Sequence, residues 1–289
     1  MGAHVLNDDG KRVSRRTVVF GSLTLAGVVA ACGGKDSGTT ATATTAAAGA
    51  DPAALLASAT TCILSPTTTQ GPYYFDADKI RGDIREDRQG TRLDLALKVV
   101  DSEGCTPLKD VVVEIWHCDA AGLYSGAESQ STGGGEGMPG GAPAPSGALA
   151  PPGGGPADPP SGAPPGSGDM ADLVPTDDKR YLRGAQVTNT DGVVRFTTIW
   201  PGWYRGRTVH IHAMVHLNNT KALITQLMFD EALNDKVYTA APYATHTGRD
   251  TTNANDTIYN DSMLLTVQAA TNTHLAAKIL AVDTDKHGS

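Results

Sequence analysis

Thr208-Val209-His210-Ile211-His212-Ala213-Met214-Val215-His216-Leu217 is followed by Asn218-Asn219 and, after three residues, by Leu223-Ile224-Thr225-Gln226-Leu227-Met228-Phe229. Both runs have the length and the β-branched, apolar content of strands, and the asparagine pair between them carries turn chemistry, so the stretch reads as a β-hairpin. Similar runs precede and follow it, at 92–100, 111–118, 186–188, 193–198, 263–267 and 276–282. Asp191-Gly192 is a strong hairpin signal and Ser102 to Gly104 supplies another turn. Short strands joined by turns predict an all-β fold, an antiparallel β-sandwich, with the two late runs closing a second sheet. No Gly-rich phosphate loop follows a strand, which argues against a nucleotide-binding α/β fold.

Composition agrees. Only 19% of the 289 residues are charged and 5% aromatic, which disfavours helical bundles and coiled coils. Acidic residues outnumber basic ones, 31 to 23, and phosphate binding needs a basic surface, so nucleic acid is not an expected partner. Three stretches stand apart from the rest. Residues 1–31 combine a basic region from Lys11 to Arg16, containing Ser14-Arg15-Arg16-Thr17, with an apolar run too short to span a bilayer as a mature helix. They read as a twin-arginine export signal, and Val29-Ala30-Ala31-Cys32 reads as a lipobox, so the expected product is an exported protein whose membrane association runs through a lipid on Cys32. Residues 32–60, mostly Gly, Thr, Ser and Ala, read as a disordered tether. The segment 126–170 is Gly/Pro-rich without a collagen-like period and reads as a disordered insert within a domain at 61–289. With Cys32 lipidated, Cys62, Cys105 and Cys118 remain. If 92–100 and 111–118 form a hairpin, Cys105 and Cys118 lie roughly 20 Å or more apart, and Cys62 is left free to pair with either.

The chemistry concentrates in Pro201-Gly202-Trp203-Tyr204-Arg205-Gly206-Arg207-Thr208-Val209-His210-Ile211-His212. On a strand, His210 and His212 project from one face roughly 6.6 Å apart, close enough for both imidazoles to reach one metal ion. Tyr204 lies in the turn feeding that strand and Tyr124 just past another, so two phenolates would complete the site. Hard, anionic oxygen favours Fe(III). His216 stands roughly 13 Å beyond His212, too far to join, and His117 and His246 read as non-ligands. The bare His-x-His motif also suits a zinc-dependent hydrolase or lyase with a third histidine from elsewhere. A non-enzymatic surface binding module on a β-sandwich is the other alternative.

Pro201-x-x-Tyr204-x-x-Arg207-x-x-His210-x-His212, preceded by Val113-Glu114-Ile115-Trp116 and Ala121-Gly122-Leu123-Tyr124, resembles the intradiol ring-cleavage dioxygenases, in particular their secreted, protocatechuate-dioxygenase-like branch. Thr69-Gln70-Gly71-Pro72-Tyr73-Tyr74 and Thr225-Gln226-Leu227-Met228-Phe229 match further blocks of that family. The resemblance runs from about residue 62 to 230 and leaves out the signal, the tether, the insert and the last fifty or so residues. It implies a mononuclear non-haem Fe(III) held by Tyr124, Tyr204, His210 and His212, and cleavage of a catechol with O2 to a muconic-acid-type product. It further implies that Tyr204 leaves the iron when substrate binds and helps take up a substrate proton, and that Arg207 stabilises negative charge developing on the ring. The same resemblance implies that Gln226 faces the substrate and that Tyr73 and Tyr74 line its slot. No helical dimerisation domain precedes Cys62, so the resemblance implies no particular oligomer, and it leaves the choice among catechols open.

Overall fold

Alternation along one strand sets the layers. In β1, Arg92–Asp101, the side chains of Leu93, Leu95, Leu97 and Val99 are all completely buried on one face, as a period of two requires for a strand facing a core. The structure is a computed structural model that describes residues 51–58, 62–131 and 171–285, together with a short antiparallel strand pair, Val5–Leu6 with Arg12–Val13. That pair belongs to a separate N-terminal unit, Met1–Gly49. The second unit carries everything below.

The remaining strands are β2 Val112–Trp116, β3 Arg183–Val187, β4 Val193–Ile199, β5 His210–Leu217, β6 Thr220–Met228, β7 Thr266–Ala270 and β8 Thr273–Val282. They form two four-stranded sheets, ordered β4-β1-β8-β7 and β3-β2-β5-β6. All pairs are antiparallel except β8 with β1, which run parallel. Leu93, Leu95 and Leu97 of the first sheet share one core with Val113, Ile115, Ile211, Ala213 and Val215 of the second. Burying each such Leu, Ile or Val side chain contributes roughly 1.5–3 kcal/mol. The expected β-sandwich is therefore the observed fold.

Four expectations need correction. The runs at 92–100 and 111–118 are not a hairpin, because β1 and β2 lie in different sheets. Asp191-Gly192 does turn the chain sharply, with the Gly192 amide donating to the Asn189 carbonyl at 2.9 Å, yet β3 and β4 also part into opposite sheets. Turn chemistry dictates a reversal of direction, and burial decides which sheet receives the next strand. By contrast Asn218 and Asn219, both at positive φ, close a true β5–β6 hairpin. The tether ends earlier than expected, since Pro52–Ser58 is a 3₁₀ helix. Its Leu56 packs with Ala96, Val193 and Ala277 on the outer face of the first sheet, and Asp51 pairs with Arg195 at 2.8 Å. The insert also starts later. Residues 126–131 belong to the folded body, with α1 at Glu128–Ser131, because Gly126 is held by Thr176 and Asp177. The rest of the insert, the tether before residue 51 and the expected signal with Cys32 lie outside the described residues, apart from the two strand fragments.

Cys62 is bonded to Cys105, and Cys118 is a free, buried thiol. A second helix, α2 at Glu231–Tyr238, begins at Asp230, whose carboxylate caps the Ala232 and Leu233 amides.

Candidate functional site

The two faces of β5 have different company. Ile211, Ala213 and Val215 enter the sandwich core, whereas His210, His212 and Met214 point outward and are nonetheless buried. Loops cover this outer face. Register then sets three side chains in a row across the sheet, since Trp116 of β2 stands opposite His212 and His212 opposite Gln226 of β6. The Trp116 and His212 rings stack at 4.9 Å with planes 3° apart. The register with β6 shifts between Val215 and His216, leaving Ala222 as the extra residue of β6, and His216, further along the outward face, lies 3.4 Å from Glu114.

Two turns bring the tyrosines. Past β2, the Asp119 carboxylate accepts from the Ala121 and Leu123 amides at 2.9 and 3.0 Å, an Asx-type turn that delivers Tyr124 inward. The Tyr124 amide donates to Ser131 Oγ at 3.0 Å. Before β5, a tight turn bridges Tyr204 to Arg207 and sets the Tyr204 hydroxyl 3.1 Å from His210 Nε2. His210 Nε2 in turn lies 3.1 Å from His212 Nε2. The Tyr124 ring lies against both Tyr204 and His212, with centroids 5.8 and 6.4 Å away. Four expected ligands thus meet in one place.

Protonation follows from the geometry. His210 Nδ1 is 2.6 Å from the Thr208 carbonyl, which can only accept, so Nδ1 carries the proton and Nε2 offers its lone pair to the site. Burial, with Arg207 adding to it, pushes the His210 pKa down to about 3. Burial and the neighbouring His210 hold His212 well below the ordinary range. Both imidazoles are neutral, the form that binds metal. Burial also raises the Tyr124 and Tyr204 hydroxyls above the ordinary phenol range. The Tyr124 hydroxyl is buried and makes no hydrogen bond of good geometry, an arrangement that costs about 1–3 kcal/mol. A cation at this centre would satisfy that orphaned oxygen. Among the described residues no group of three or more His, Cys, Asp or Glu side chains is placed to hold a metal ion. Among the described residues, an ion here therefore needs the tyrosines, and no third imidazole joins His210 and His212.

Around this centre, Arg207 Nε donates to Asp256 at 2.9 Å and its Nη2 to Gln226 Oε1. The Gln226 amide nitrogen is buried without a partner. Tyr73 stacks on Tyr124 at 4.6 Å and meets Tyr204 edge-on at 6.5 Å. Tyr74 is set further back, its hydroxyl donating to Glu114 at 3.1 Å and its ring against Trp116. His117 bonds to the Cys118 carbonyl and Thr198, and His246 packs on Trp203, both away from the cluster's hydrogen bonds.

Sequence reading missed three residues. Trp116 stands in a run of strand residues with no signal of its own, and its place opposite His212 follows only once β2 and β5 pair. Asp256 lies about fifty residues from Arg207 and carries no local signal. Arg183 is fully buried and, among the described residues, pairs with no carboxylate. Its Nε donates to Ser125 Oγ at 3.0 Å, and its Nη2 to the Tyr73 and Ser125 carbonyls at 2.8 and 2.9 Å. Its guanidinium covers the Phe75 ring at 4.1 Å. It ties together the backbones that carry Tyr73 and Tyr124. Burial lowers its pKa to about 10, which leaves it charged at neutral pH.

Comparison with solved structures finds the same architecture. An intradiol ring-cleavage dioxygenase from Tetranychus urticae is 31% identical, aligned over 77% of this chain and 95% of its own, with a TM-score of 0.61. A second crystal structure of a dioxygenase is also 31% identical over the same shares, with a TM-score of 0.60. No family model and no curated protein sequence matches the chain.

Proposed function

Because the chain belongs to the intradiol ring-cleavage dioxygenase family, we propose that it opens catechol-type rings with O2 at a non-haem Fe(III) held by Tyr124, Tyr204, His210 and His212. The observation that carries the reading is the buried, unpartnered Tyr124 hydroxyl beside two neutral imidazoles and a second phenol. When bound, Fe(III) would draw electron density from a chelated catecholate and so prepare the ring for O2, both of whose atoms end in a muconic-acid-type product.

The protein's own groups divide the remaining work. Held by iron as a phenolate, Tyr204 Oη, beside His210 Nε2, would be placed to take up a proton from a catechol hydroxyl. Arg207 sets a fixed positive charge near the ring, where a preorganised cation in a dry site stabilises negative charge as it develops. Gln226, whose amide donor has no partner, faces the same space and orients the substrate. Tyr73 is half-buried across Tyr124 and Tyr204 and serves as a wall of the ring slot, while Tyr74 supports Trp116 from behind.

Purified protein loaded with iron should be coloured by tyrosinate-to-iron charge transfer. It should consume one O2 per ring on at least one of catechol, protocatechuate and hydroxyquinol. A colourless protein that binds no iron would sink the reading. The twin-arginine signal and acylated Cys32 belong to the same proposal, supported by the Cys62–Cys105 bond, which fits an oxidising compartment. Mass spectrometry of the mature protein should find diacylglyceryl-modified Cys32 at its N-terminus, and an unprocessed Met1 would overturn that part.

A further inference from the structure

The last fifty or so residues lie outside the sequence blocks that resemble the family, yet one of them reaches the site. Asp256 has no exposed side-chain surface, and a carboxylate cannot be buried so deeply without donors around it. Its Oδ2 accepts from Arg207 Nε at 2.9 Å and from the Thr208 amide at 2.7 Å, and its Oδ1 accepts from the Ile258 amide at 2.7 Å. The loop that carries it is itself fixed. Asn253 donates to the Phe229 carbonyl at 2.8 Å and through its amide to Glu231 at 2.7 Å, and Glu231 is paired with Arg249.

We propose that Asp256 is the positioning residue for Arg207, an inference that rests on the dioxygenase reading above. An arginine in a turn has many rotamers, and the Tyr204–Arg207 turn is exposed at Arg205 and Gly206. Asp256 occupies the Nε edge of the guanidinium and so removes most of that freedom. The Nη2 edge is then left to meet Gln226, on the strand beside His212. The same carboxylate oxygen grips the Thr208 amide, two residues before His210. One side chain therefore sets both the cation and the start of the ligand strand.

The test is a double-mutant cycle on the iron-loaded enzyme with Asp256→Asn, Arg207→Ala and both together. Asp256→Asn removes the negative charge that pairs with Arg207, leaves one neutral oxygen for Arg207 and Thr208, and gives up the Ile258 bond. It should lower kcat by about 10-fold or more, with KM within about threefold and the visible absorption band unmoved. In the Arg207→Ala background it should cause no further loss of turnover. The metal-free proteins supply a second reading by thermal denaturation, in which the double variant should be no less stable than Arg207→Ala. Additive losses in turnover, or an absorption band that disappears with kcat, would make Asp256 a general structural residue and overturn the proposal. An active wild-type enzyme beside an Asp256→Asn variant within about twofold of it would overturn this inference alone. Wild-type enzyme that cleaves no catechol would remove the dioxygenase reading and this inference with it.

Discussion

The two tyrosine-bearing turns are built in opposite ways. Around Tyr124 every residue from Tyr124 to Ala127 is buried, the turn is closed by Asp119 and Ser131, and Arg183 grips the Ser125 backbone. Around Tyr204 the chain is exposed at Arg205 and Gly206, and the holding contacts come from a distant loop through Asp250 and Asp256. Two residues of like chemistry thus sit in a rigid and a looser mount. Displacing Tyr124 requires breaking a buried network, whereas displacing Tyr204 reshapes a turn that is exposed at Arg205 and Gly206 and anchored at its Gly206 and Arg207 end. That asymmetry supports the proposed division of labour, in which Tyr124 stays on the metal and Tyr204 yields to substrate.

Substitutions can break or sharpen this contrast. The largest effect should come from Tyr124→Phe, which ought to lower turnover by about 1,000-fold or more and cut iron retention. The metal-free variant should be as stable as wild type or more so, because a buried hydroxyl without a partner has been removed. Iron content and metal-free melting temperature check both halves, and a stable variant with normal iron would detach Tyr124 from the metal. Gly122→Ala should follow, costing about 3 kcal/mol of stability. Gly122 sits at φ +84°, and an added Cβ would lie 2.5 Å from the Trp203 carbonyl oxygen, where the two turns touch. Chemical denaturation measures it, and a loss under about 1 kcal/mol would show that the mount can yield.

Tyr204→Phe comes next, with iron retained and kcat lowered about 100-fold, the lower end of the range for loss of a proton acceptor. Loss of iron equal to that in Tyr124→Phe would erase the difference between the mounts. The smallest effect belongs to Gly206→Ala. Gly206 also has positive φ, at +79°, but no atom lies within 4 Å of an added Cβ, so only the backbone strain of about 1 kcal/mol applies. A cost as large as that of Gly122→Ala would mean that the second turn is as rigid as the first.

Much of the site was legible before the fold. His210 and His212 share a face because a strand repeats every two residues, and Tyr204 and Arg207 are placed by the turn that immediately precedes them. The hairpin at Asn218-Asn219 was also legible, since both residues adopt the left-handed backbone that their type tolerates. The turn at Asp191-Gly192 carried an equally clear local signal, yet its flanking strands lie in different sheets. The feet of the insert were misjudged for a related reason. Composition marked Gly126 onward as unstructured, while Thr176 and Asp177, fifty residues later, hold Gly126 in place.

The sequence by itself determined the strand character, the paired imidazoles, the two phenols and the family, because each is written in residues close together in the chain. Tertiary structure alone decided that Cys62 joins Cys105, that β1 and β2 separate into two sheets, and that Arg183 and Asp256 stand behind Tyr124 and Arg207. Those outcomes depend on which distant surfaces can be buried together and which buried charges find donors or acceptors, and no local pattern of residues specifies that.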